Sequence, residues 1–131
     1  MSMVVAALML AITGPCPGST TREVEQCLAA RLSRADAELN RYYAAAVARL
    51  TRDGNMTSLA KLRASERAWI AYRDAECDAV YDWWQGGTIR GAMTLSCRTR
   101  ITQARTFEVW RNWLTYVDST PPVLPRPAPG D

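Results

Sequence analysis

The sequence predicts an all-α fold: a long antiparallel helical hairpin with a third helix packed on it, stapled by disulfides. Three observations predict it. Apolar residues recur in steps of three and four over long stretches that lack Gly and Pro. Glycine-containing breaks, RDGN at 52–55 and GGT at 86–88, divide those stretches. Four cysteines, an even number, follow an apolar N-terminal run. At 131 residues and 48% hydrophobic, the chain is sized for one domain with one core.

The N-terminus reads MSMVVAALMLAITGPC, and Val4 to Ile12 are uninterrupted apolar residues. Such a run is shorter than the roughly 20 residues a membrane span needs. It matches the hydrophobic part of a secretory signal, so residues 1–14 are expected to be a signal peptide, with cleavage after Gly14. No Lys or Arg precedes the run, and the competing reading is a buried N-terminal element. Pro15 directly before Cys16 is a poor context for lipidation. The mature protein is then exported, with no membrane span, and residues 15–118 form the domain. Cys16, Cys27, Cys77 and Cys97 fit an oxidising compartment. Four cysteines allow three pairings. Cys16–Cys27 and Cys77–Cys97 are favoured, because each closes a short loop flanking a helix end.

Thr20 followed by Glu23 is a capping-box pattern. The stripe Val24, Leu28, Leu32, Ala35, Leu39, Tyr42 or Tyr43, Ala46 and Leu50 then predicts one helix over 21–52. Gly54 is a natural residue just past its end. A second helix is expected from a cap at Thr57 or Ser58 to about Gln85. Its stripe is Leu59, Leu62, Glu66, Trp69, Ile70, Arg73, Cys77, Val80 and Trp84. A third is expected over 93–117, with Phe107, Trp110, Leu114 and Val117 on one side and Ile101 and Ala104 on another. Residues 119–131, with five prolines among thirteen, are expected to be a disordered tail.

The second stripe holds charges where a core-facing side should be apolar. Glu66 and Arg73 lie about 10 Å apart along the axis, so each should seek a partner on another helix. Asp36 and Asn40 on the first helix and Arg105 on the third are the expected members of a structural polar network. The chemistry is narrow. There is no histidine, which removes His-based nucleophilic catalysis and His-ligated metal sites. No metal, cofactor or catalytic residue is expected. The net charge of +3, spread along the chain, argues against a nucleic-acid partner.

The run AD-x-ELN-x-x-Y from Ala35 to Tyr43, then SERAWIAYRD-x-x-C from Ser65 to Cys77, GGT, Cys97, and Thr102 with Arg105 resemble the lysozyme inhibitor LprI-like N-terminal domain family. The order and spacing match from about Cys16 to Val109. The family's usual glutamine is Glu66 here, and its added charge should have found Arg73 or Arg105. The resemblance implies a small exported bacterial helical domain with paired cysteines, in a family named for a lipoprotein that inhibits lysozyme. The implied function is non-catalytic binding of a protein partner, a lysozyme among the candidates. The expected anchors are Tyr81, Trp83, Trp84, Gly86, Gly87 and Arg90, because Trp and Arg are enriched at binding hot spots. A charge of +3 gives no steering toward a basic lysozyme. An envelope interaction or stress protein with another partner is the alternative, and a carboxylate-based hydrolase using Glu66 is the least favoured. Oligomeric state is not legible at this level.

Overall fold

The computed structural model describes residues 14–128. Residues 1–13, which hold the expected signal run, lie outside that range. The described chain forms α1 (Thr21–Arg52), α2 (Met56–Trp83) and α3 (Arg90–Trp113). No strand occurs among the described residues.

α1 has the predicted bounds, and its ends show why. The Thr20 hydroxyl accepts from the Glu23 N–H at 3.2 Å, and the Glu23 carboxylate accepts from the Ser19 N–H at 2.9 Å. The first bond satisfies one orphan donor of the helix start, and the second ties the residue before the cap to the first turn. Gly18 (φ 154°) sits under this cap, where a Cβ would lie 2.8 Å from that of Glu23. At the other end Gly54 has φ 71°. Its N–H donates to the Thr51 carbonyl and the Asn55 N–H to the Leu50 carbonyl, a Schellman closure that returns the chain at once into α2.

α2 begins at Met56, with Asn55 at the cap position, not at Thr57 or Ser58. The Met56 N–H donates to the Gly54 carbonyl, and no side-chain cap forms there. α3 starts at Arg90 and ends at Trp113, four residues before the predicted stop. The Arg49 guanidinium takes the Trp113 and Thr115 carbonyls, both at 2.8 Å, and so terminates α3 from outside. Val117, expected on the helix stripe, is instead fully exposed in the following loop.

The largest helix interface joins α1 to α3, and α1 and α2 touch least. The third helix packs on the other two as expected, and it forms the seam against which both pack. The core comprises Leu39, Tyr42, Ala46 and Leu50 of α1, Leu59 and Leu62 of α2, and Val109 with Leu114 from α3 and its end. Trp69 packs on this cluster, whereas Ile70, expected beside it, is 43% exposed. Thr102 and Thr106 are buried, and the Thr106 hydroxyl donates to the Thr102 carbonyl. A threonine that bonds its own helix in this way can enter a core.

The disulfides Cys16–Cys27 and Cys77–Cys97 are both present, each with Cα atoms 5.7 Å apart. The first clips the N-terminal segment to α1. The second ties α2 to α3.

The C-terminal segment overturns the expectation of a disordered tail as far as Ala128. It runs back over α1 and α3 and is held there. The Val123 N–H donates to the Leu114 carbonyl at 2.8 Å, Trp110 Nε1 to the Leu124 carbonyl at 2.9 Å, and the Tyr42 hydroxyl to the Pro125 carbonyl at 2.5 Å. Leu124 packs on the core, Pro127 is buried, and the Arg126 guanidinium lies over the Phe107 and Trp110 rings. Proline composition left this open, because extended backbone without N–H donors can dock as well as float. What decides is the aromatic side of α3 waiting beneath it. Residues 129–131 lie outside the described range.

Candidate functional site

Two groups of residues were singled out by sequence, and the structure places them apart. The charged residues of the second stripe lie between helices. Arg105 Nε donates to the Glu66 carboxylate at 3.0 Å, and Arg105 also donates to the Ser65 hydroxyl. Of the two arginines expected to meet Glu66, the structure supplies Arg105. Both side chains are largely shielded, at 13% and 15% exposure. Arg73 donates to Asp36 at 3.0 Å and to the Thr102 hydroxyl at 3.2 Å, and its guanidinium lies 5.0 Å from the Trp69 ring centre. One arginine thus touches all three helices. Asp74 and Asp78 extend the pattern toward Arg98. Asn40 is exposed and joins none of these bonds. Asp74, Asp78, Arg98 and Thr102 were missed as members. For Asp74, Asp78 and Arg98 the signal was charge at helical spacing, which reads as a solvated face until the third helix is in place.

The second group lies at one end of the molecule, where α2 turns into α3. Trp84 ends α2, its N–H donating to the Val80 carbonyl. Gly87 returns a bond to the Trp84 carbonyl and closes the turn. The two tryptophans differ sharply. Trp84 is half-buried, while Trp83 is 83% exposed. The Arg90 guanidinium lies 5.1 Å from the Tyr81 ring centre and donates to the Gln85 carbonyl at 3.3 Å. That cation–π contact holds a flexible side chain over a half-exposed ring.

Tyr81, Gln85, Gly86, Gly87 and Arg90, but neither tryptophan, line one wall of an open cleft of about 740 Å³. α1 supplies the other wall through Thr21 and Glu25. The Glu25 carboxylate sits so close to Gly91 that a Cβ there would lie 2.3 Å from its Oε1. α3 has no acidic residue in its first turn and no side-chain cap. Glu25 supplies the negative charge that a helix N-terminus favours, from a different helix. Thr21, Glu25 and Gly91 were not expected here, since nothing local to the turn points to the start of α1. The Cys16–Cys27 clip and the α1–α3 packing bring them in.

The opposite end of the bundle carries a second, smaller cleft of about 380 Å³ between the end of α1 and the loop after α3. Arg49 spans it, with its guanidinium 4.1 Å from the Tyr116 ring centre and 3.8 Å from Asp53. Asp118 at its edge is held below the ordinary carboxyl value by hydrogen bonds from Thr120, first its side chain and then its backbone. Met56 and Val117 are exposed nearby.

The family described as Lysozyme inhibitor LprI matches residues 16–109, from the first disulfide cysteine to the last buried valine of α3. The chain belongs to the lysozyme inhibitor LprI family. The LprI match takes in both disulfides, the interhelical ion pairs and the whole α2–α3 corner. Among curated proteins, an uncharacterized protein of Rhizobium meliloti (strain 1021), R02472, is 32% identical over 84 residues. The alignment covers 57% of this chain and 60% of that relative's length. No solved structure matches. No helix among the described residues is long and apolar enough to cross a membrane.

Proposed function

We propose that this LprI-family chain is an exported, non-catalytic binding protein that inhibits a lysozyme by presenting the corner between α2 and α3 to it. The family match supports the class of function. The observation that carries the location is Trp83, 83% exposed as the last residue of α2, next to a turn closed by backbone hydrogen bonds and on a disulfide-tied helix pair. A large aromatic held out on a rigid scaffold costs little entropy to bind with, which is the usual character of an interface anchor. Arg90 over Tyr81 adds a cation at the same corner. Trp83 and the Arg90–Tyr81 pair lie on different sides of the end of α2, and the cation suits a carboxylate-lined cleft such as that of a glycosidase. The reading as non-catalytic is supported by Glu66. The one carboxylate considered as an acid is engaged by Arg105 between helices and lines neither cleft.

The test is lysozyme clearing of a bacterial cell suspension with the purified, oxidised protein in molar excess. Inhibition is expected, and Trp83→Ala should weaken it by about thirtyfold or more, the loss typical of a hot-spot residue. Trp84→Ala is not a clean probe, because Trp84 is half-buried. No inhibition of a c-type lysozyme at large excess would reject the reading for that enzyme. Inhibition untouched by Trp83→Ala would reject the corner.

A further inference from the structure

The segment after α3 sits on an aromatic groove in the manner of a bound ligand. Four of the seven residues from Pro121 to Pro127 are proline. Proline fixes φ near the polyproline II value and favours that extended helix of about three residues per turn. Burial follows the same period. Leu124 is half-buried, Pro125 and Arg126 are exposed, and Pro127 is buried. The side chains that enter the groove are thus Leu124 and Pro127, one polyproline turn apart.

The groove is built from α1 and α3. Trp110 Nε1 donates to the Leu124 carbonyl at 2.9 Å, and the Tyr42 hydroxyl to the Pro125 carbonyl at 2.5 Å. A polyproline helix makes no internal hydrogen bonds, so its carbonyls are open to such donors. Phe107 and Trp110, with ring centres 5.6 Å apart, receive the Arg126 guanidinium at 5.3 Å and 5.9 Å. Aromatic walls with ring-borne donors are the mode by which proline-rich segments are recognised. Both bonds go to main-chain carbonyls, so neither depends on the segment belonging to this chain. Tyr42 and Phe107 lie within the family match, which ends at Val109, and the segment lies beyond it.

We propose that this groove is a binding site for a proline-rich segment of a partner protein, and that residues 121–127 fill it in cis as a tethered competitor. The recognised chemistry is an extended chain with an apolar residue and a proline one polyproline turn apart and an arginine between them. A short tether sets an effective concentration of roughly millimolar. A free ligand therefore enters the intact chain only near that concentration, and enters more readily once the cis segment is released. No residue of the α2–α3 corner takes part, so the inference stands apart from the lysozyme reading.

The test is fluorescence anisotropy of a labelled peptide of sequence PPVLPRPA with the full, oxidised chain. Binding to the wild-type chain is expected only at about millimolar concentration. Leu124→Asp with Pro127→Asp expels both inserted side chains and leaves Tyr42, Phe107 and Trp110 in place. That chain should bind the peptide at least about tenfold more tightly, with helicity by circular dichroism unchanged. Arg126→Glu, a milder release at an exposed residue, should act in the same direction by about threefold. Adding Trp110→Phe to either released chain keeps a ring but removes the indole N–H, and should weaken the peptide by about threefold to tenfold. A peptide carrying the same Leu→Asp and Pro→Asp changes should not bind. Equal peptide affinity in the wild-type and both released chains overturns the proposal, as does binding indifferent to the changes in the peptide. So does a wild-type dimer in sedimentation equilibrium that is lost in the Leu124→Asp/Pro127→Asp chain, which would make a second copy's segment the occupant.

Discussion

Glu66 and Arg105 show what a single charged pair does when helices close over it. Each side chain has surrendered most of its hydration, and each is repaid by the other at 3.0 Å. Removing one member of such a pair costs more than the pair itself contributes, because the other charge is left without a partner. Arg105→Ala is therefore expected to destabilise the fold by about 2–3 kcal/mol in urea unfolding. Glu66→Gln keeps an acceptor for the Arg105 N–H groups and should cost less than about 1 kcal/mol. Equal losses for the two variants would show that the bond's charge is irrelevant and its geometry alone matters. The sequence made Glu66 visible as an oddity, a carboxylate on a core-facing stripe. It narrowed the partner to two arginines. Choosing Arg105 required the position of α3, and left Arg73 for Asp36 and Thr102.

At the scale of elements, α1 was legible to the residue, because both its ends carry local signals. A capping box starts it and a left-handed glycine stops it, and both act within a few residues of sequence. α3 was not, because its end is imposed by Arg49, distant in sequence. The C-terminal segment is the clearest case. Its prolines exclude helix but say nothing about docking. The two-sided apolar pattern of α3 was the hint, since a helix with a second apolar side needs a second cover. Deleting residues 119–131 should uncover Phe107 and Trp110 and strip partners from Tyr42 and Trp110. The expected loss is about 2–4 kcal/mol, read as a lower urea midpoint. Tyr42→Phe alone should cost about 1 kcal/mol. A truncated chain as stable as the full one would mean that the docked segment adds no net stability.

For the whole molecule, the unequal packing of the three helices predicts how it comes apart. α2 touches α1 least and is tied to α3 by Cys77–Cys97. Closing that loop contributes about 3 kcal/mol by chain-entropy arithmetic. In a Cys77→Ser/Cys97→Ser chain, hydrogen exchange should show amides of the second half of α2 losing protection first, while α1 and the second half of α3 keep theirs. Uniform loss across all helices would contradict a separable α2. The sequence by itself determined the fold class and the three helices, and it favoured the cysteine pairing that the structure shows, because periodicity, caps and breakers act over neighbouring residues. Tertiary structure decided the rest. It chose α3 as the central seam, Trp83 over Trp84 as the exposed ring, Arg105 as the partner of Glu66, and a docked chain after Asp118. Each of these turns on which side chain meets which across a sequence gap, and no spacing along one helix carries that information.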